Sequence, residues 1–203
     1  MTASNDPTVR TVLCDVGDVL IHFDPAVSAA IEVDHGLAPG ALLQAAVKSS
    51  AAKAAMAGRI DFGDFKARTA AVVGEGALSA WLDYHGEADS GVVEIVKGLR
   101  YHGVRVVLLS NATARLWDDL AHHGLDALAD AAYCSADIKV AKPQRAAYDH
   151  VAKAAGFDLD GSVLYVDDTA SWVAAGQAAG MRGVVFTTAA QLHAQLAGLG
   201  EAA

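Results

Sequence analysis

The sequence predicts an α/β fold: a doubly wound parallel sheet with a helical unit inserted after the first strand. Three observations carry that expectation. Short apolar runs rich in β-branched residues end on polar or acidic residues, at Asp15, at Ser110-Asn111 and at Asp167-Asp168, which is how buried parallel strands read. From about residue 88 onward such runs alternate with helix-length segments, the order that right-handed βαβ crossovers require. Between residues 22 and 88 helix signals follow one another and no strand is expected. The expected division is a core of residues 1–21 and 89–203 with a helical unit of residues 22–88.

The first strand is the apolar run from Thr11 that ends on Asp15, delivering that carboxylate to its carboxyl end before the break at Gly17. His22-Phe23-Asp24-Pro25 forms a turn, and Pro25, at home in a first helical turn, opens a helix that ends at Gly36. Ala41 to Ala57 reads as one helix stopped by Gly58, Asp61 caps another through Val73, and Ala77 to Tyr84 is a fourth. In the second half the expected order is helix 91–102, strand 104–109, helix 113–123, strand 131–134, helix 143–155, strand 163–166, helix 171–179, strand 184–186 and helix 189–199.

With 203 residues, more than half of them apolar, the chain can bury a substantial core. Its 24 acidic against 15 basic residues leave a formal charge of −9, which argues against nucleic acid or an anionic membrane as a partner. A phosphate site must therefore be locally cationic. No apolar run approaches the ~18 residues of a membrane span, and residues 1–10 show no hydrophobic signal segment, so a cytoplasmic location is expected. Cys14 and Cys134 each fall inside a strand, where buried thiols are expected rather than a bridge.

In a doubly wound sheet the carboxyl ends of the strands converge on one edge, where ligands bind. Asp15, Ser110, Asn111, Asp167 and Asp168 are all at such ends, and Lys142 precedes a helix start. An ionised aspartate there can act as a nucleophile, as a ligand for a hard cation, or as both. Adjacent acids at a buried strand end repel and call for a cation between them.

In order, Asp15-Val16-Gly17-Asp18-Val19-Leu20, Leu108-Leu109-Ser110-Asn111, Ser135 to Pro143 with Lys142, and Val166-Asp167-Asp168-Thr169 resemble the four motifs of the haloacid dehalogenase (HAD) superfamily. The resemblance spans essentially the whole chain, and the helical unit is similar to that family's C1 cap. It implies a Mg²⁺-dependent phosphatase acting on a small phosphorylated substrate. Asp15 would form an aspartyl-phosphate; Asp15, Asp168 and the Gly17 carbonyl would hold the metal with help from Asp167. Ser110, the Asn111 backbone and Lys142 would bind the phosphoryl oxygens.

One departure stands out. Phosphatases of the family carry a second aspartate two positions after the nucleophile as general acid and base, and here that position is Gly17. Asp18 is its neighbour, and Trp172 stands where a polar residue is usual. A 2-haloacid dehalogenase, whose halide leaves unprotonated, is the alternative compatible with Gly17, and a phospho-ligand-binding HAD-like protein is another. His22, Arg59, Lys66 and Arg68 are further candidates for contact with substrate.

Overall fold

The computed structural model describes residues 8–200; most of the polar stretch 1–10, and the ends of the expected core at 1–7 and 201–203, lie outside the described residues. Five parallel strands form one sheet: β1 (Thr11–Cys14), β4 (Arg105–Ser110), β5 (Ala131–Cys134), β6 (Val163–Asp167) and β7 (Arg182–Val185), in the order β5-β4-β1-β6-β7. The chain leaves β1 for β4 on one side and later reaches β6 on the other, so the strand order reverses at β1. That reversal opens the crevice in which such sheets bind ligands.

Alternation along the strands assigns the two faces. Val12, Cys14, Val106 and Leu108 face one way, onto Val92 and Val96 of α6 (Ser90–Tyr101), Leu116 and Leu120 of α7 (Arg115–His122), and Leu192 of α11 (Ala189–Gly200). Leu13, Val107, Leu109 and Tyr165 face the other way, onto Tyr148 and Val151 of α9 (Arg145–Ala155). On that second side α10 (Ala170–Ala178) comes so close to β6 that a Cβ on Gly176 would stand 2.4 Å from the Tyr165 ring. Each fully buried Val or Leu in these layers contributes ~1.5–3 kcal/mol. Cys14 and Cys134 are buried free thiols, and burial pushes them up to about 12 and about 11 respectively, which leaves them protonated and inert.

Between β1 and α6 the chain departs from the expectation of helices alone. Ile21–His22 (β2) and Glu87–Ala88 (β3) pair antiparallel in a two-stranded ribbon where the chain enters and leaves the helical unit. Two residues per strand are too few for any periodicity to reveal. Inside the unit are α1 (Pro25–Asp34), α2 (Ala41–Leu43), α3 (Ser50–Met56), α4 (Phe62–Val73) and α5 (Glu75–Asp83). The single helix expected over residues 41–57 is broken. A π-helical turn spans Gln44–Lys48, and Ser49 adopts an extended backbone, accepting from Ala52 N at 3.0 Å while donating to Ala45 O at 2.7 Å. Serine competes with the helix for its own backbone, and at Ser49 it wins by capping α3. Buried Glu32 plays the same part for α2, accepting from Gly40 N and Leu42 N at 2.8 Å each.

Other elements differ from expectation: α8 (Ser135–Ile138) follows β5 directly, α9 starts at Arg145 rather than Pro143, after a turn in which Gln144 N donates to Ala141 O, and β7 starts at Arg182 rather than Val184.

The helical unit has apolar clusters of its own, around Leu42, Val73 and Leu78 and around Ala52 and Phe65. Contacts on two flanks tie it to the sheet layers, His85 Nδ1 pairing with Asp119 at 2.8 Å among them. Buried Arg115 donates to Tyr84 O and to Asp119, with its guanidinium 4.5 Å from the Trp81 ring centroid and 5.7 Å from that of Phe23. On the other flank Ser135 Oγ donates to Met56 O at 2.5 Å, and a Cβ on Gly58 would stand 2.2 Å from Ala136 O. Gly58 also has φ +62, so both backbone and space demand glycine. Gly36 has φ +66 with nothing within 4 Å of its Cβ position, which makes it the matched control. Gly58→Ala is expected to destabilise the protein by ~1–3 kcal/mol more than Gly36→Ala, because only the former adds a steric conflict to the backbone strain. Thermal melts of the two variants check this, and equal midpoints would remove the contact from the account.

Candidate active site

β1 ends one residue before Asp15, whose N–H donates to Val166 O and whose Oδ1 accepts from Val16 N at 2.7 Å. The loop beyond is drawn tight by Val16 O, which accepts from Leu20 N and Ile21 N, and it is anchored by buried Val19 and Leu20. Asp18 takes φ +56 in this turn, a conformation that Asp tolerates better than most residues.

Lys142 reaches the end of β1 from the loop between α8 and α9. Its backbone is held by both ends of the Asn111 amide: Lys142 N donates to Oδ1 at 2.9 Å, and Nδ2 donates to Lys142 O at 2.8 Å. The side chain is fully buried. Its ammonium lies 2.8 Å from Asp15 Oδ1 and 2.7 Å from Asp167 Oδ2, and 4.8 Å from the centroid of the Trp172 ring. Asp167 has two further partners: Oδ2 also accepts from the Tyr165 hydroxyl, and Oδ1 accepts from Thr169 N at 2.8 Å. Burial and the Asp167 charge push the Tyr165 phenol far up, so it stays a donor.

Asp168 is exposed, and an oxygen of each of Asp15, Asp167 and Asp168 falls within 4.8 Å of the others. Burial raises the Asp15 carboxyl against the pull of Lys142, with Asp167 adding to the rise. Asp168 is also raised, by burial and then by its acidic neighbours Asp167 and Asp18. When all three acids are ionised, three carboxylates and one ammonium leave two negative charges uncompensated, and the Gly17 carbonyl accepts no hydrogen bond from the described residues. That donor set, all oxygen and short by two charges, fits a hard divalent cation.

Ser110 ends β4 beside β1; it is buried as a residue, and its hydroxyl makes no hydrogen bond to the described residues. Asp15, Ser110, Asn111, Asp167 and Asp168 therefore stand at the carboxyl ends of neighbouring strands, and Lys142 joins them from its loop through Asp15, Asp167 and Asn111.

The other candidates form no hydrogen bond or ion pair with these six residues. His22 Nε2 pairs with Asp89 at 3.0 Å on the ribbon, and its ring stacks near Phe186. Arg59 lines a cleft of about 400 Å³ with Thr113 and Lys139, and Lys66 lines another of about 510 Å³, its ammonium 5.2 Å from the Phe62 ring. Neither cleft is lined by Asp15 or Lys142. Arg68 is exposed on α4.

A family model described as haloacid dehalogenase-like hydrolase matches residues 9–180. The chain belongs to that family. Among solved structures, a HAD family enzyme from Bacteroides thetaiotaomicron in complex with magnesium and inorganic phosphate is 19% identical, with 89% of this chain and 95% of that one covered at a TM-score of 0.76. A predicted HAD-like family hydrolase from Porphyromonas gingivalis is 21% identical, covering 88% and 91% at 0.72. The L-2-haloacid dehalogenase from Xanthobacter autotrophicus, with chloropropionic acid covalently bound, is 19% identical, covering 86% and 76% at 0.64. Likeness at these identities shows a shared fold. No curated protein matches in sequence.

This HAD-like hydrolase uses two residues that the sequence reading did not single out. Tyr165 shares Asp167 Oδ2 with Lys142, and its spacing of two from Asp167 on one strand, which puts both side chains on one face, was the available signal. Ser135 Oγ accepts from Ala112 N at 3.1 Å while donating to Met56 O, linking the loop after Ser110 to the helical unit. No local pattern marks that role.

Proposed function

We propose that this hydrolase is a Mg²⁺-dependent phosphatase acting on a small phosphorylated metabolite, with Asp15 as nucleophile and residues 22–88 as its cap. The observation that carries this reading is the buried Lys142 ammonium between Asp15 and Asp167, next to exposed Asp168. Lys142 opposes the rise that burial imposes on Asp15, aims its carboxylate and adds positive charge where phosphoryl oxygens collect. Asp167, braced by Tyr165 and Thr169, holds Lys142 in place. The free hydroxyl of Ser110 donates to a phosphoryl oxygen, and an Asn111 amide committed to Lys142 leaves the backbone N–H for the same task. Mg²⁺ held by Asp15, Asp168 and the Gly17 carbonyl, with Asp167 alongside, would neutralise the acids and let an anionic nucleophile approach an anionic phosphate.

Gly17 also suits a dehalogenase, but the two uncompensated negative charges repel a carboxylate substrate and give it no benefit. Release of phosphate against halide, with and without Mg²⁺, decides between them: halide release indifferent to Mg²⁺ would reverse the assignment. The same charge argument predicts that Mg²⁺ stabilises the fold by mass action, ~2.7 kcal/mol at one hundred times its dissociation constant. Thermal melts should show a rise of several degrees that Asp168→Ala removes; an unmoved midpoint would count against the metal site.

A further inference from the structure

Hydrolysis of an alkyl phosphate requires a proton for the departing alkoxide, and the site offers no spare one. Lys142 spends its buried ammonium on two carboxylates, Tyr165 donates to Asp167, and the Ser110 hydroxyl belongs to the phosphoryl side. His22 is held by Asp89 on the ribbon. Asp18 turns through a left-handed backbone, is exposed, and makes no side-chain hydrogen bond to these residues. Gly17 has no side chain, and no atom outside residues 16–18 lies within 4 Å of where its Cβ would be, so open space lies beside the nucleophile loop.

We propose that the substrate is an acyl phosphate, a mixed anhydride of a carboxylic acid and phosphoric acid, whose leaving carboxylate occupies the space beside Gly17. The inference rests on the phosphatase reading. In the first step an Asp15 oxygen bonds to phosphorus as the phosphorus–oxygen bond to the acyl group breaks. The carboxylate leaves with the electron pair as a stable anion, and no proton moves. In the second step water bonds to phosphorus and the bond to Asp15 breaks, returning the pair to the Asp15 carboxylate. The water proton passes to the product carboxylate, which departs as the acid and ionises in solution. One ligand group thus removes the need for an acid and then serves as the base.

The test mixes the Mg²⁺-loaded protein with acetyl, phenyl or ethyl phosphate and follows phosphate release, with the intact mass of quenched protein reporting phosphorylation of Asp15. Acetyl phosphate should exceed ethyl phosphate in kcat/KM by ~10³-fold or more, the scale of a missing general acid. Phenyl phosphate should load Asp15 and leave it phosphorylated, and sodium acetate should hasten decay of that phosphoenzyme saturably where sodium chloride at equal ionic strength does not. Ethyl phosphate within ~10-fold of acetyl phosphate would mean that Asp18 or the cap supplies the proton, and would overturn the proposal. Decay indifferent to acetate would overturn it too. Failure of every donor to phosphorylate Asp15 or release phosphate would instead remove the phosphatase reading beneath it, and the proposal with it.

Discussion

Asp15→Asn is expected to yield a folded protein with turnover reduced at least ~10⁴-fold, the scale seen when a nucleophile is removed. The amide keeps the shape of the carboxylate, and its oxygen can still accept from Val16 N and Lys142, so the loop and the buried ammonium retain their partners. An amide oxygen is nevertheless a poor nucleophile towards phosphorus. The substitution also removes one of the two uncompensated negative charges, so the rise in melting temperature with Mg²⁺ should shrink. Phosphate release, the intact mass after exposure to acetyl phosphate and a thermal melt together check this. Turnover near that of the parent, with a phosphoryl group still found on the protein, would move the nucleophile elsewhere.

Gly17→Asp is expected to accelerate alkyl phosphates by ~10²–10⁴-fold, the contribution of a positioned general acid. The backbone permits it: Gly17 is not among the residues with positive φ, and its Cβ would meet nothing within 4 Å. Three acids nearby would raise the new carboxyl and help it hold the proton it must donate. The same side chain would take the space assigned to a leaving carboxylate, so acetyl phosphate should gain nothing. Measured as kcat/KM over phosphomonoesters of graded leaving-group pKa, the parent should show a steep dependence and the variant a shallow one. Parallel slopes would mean that position 17 does not face the leaving group.

The sheet and the positions of its functional ends were legible because both are local signals. A run such as Thr11 to Cys14 closing on Asp15 declares a buried strand and its exit, and Asp61 declares the start of α4 by the hydrogen bond its side chain makes to Asp64 N. Where two local signals compete, sequence alone does not decide. Ser49 sits in an alanine-rich stretch that propensity reads as one helix, yet its hydroxyl breaks the run by capping α3.

By itself the sequence indicated that Asp15, Ser110, Asn111, Asp167 and Asp168 stand at the carboxyl ends of parallel strands, which such a sheet brings to one edge, and placed Lys142 only ahead of a helix start. Tertiary structure alone decided how the work is divided among them. Asn111 spends its amide on the backbone of Lys142, and Asp167 gives its oxygens to Lys142, Tyr165 and Thr169, while Asp168 stays open to solvent. The reason is physical. Membership of the site follows from backbone topology, which residue pattern encodes, whereas a carboxylate's role depends on which donors reach it, and the donor to Asp167 and Asp15 arrives from a loop 25 residues before Asp167 in the chain.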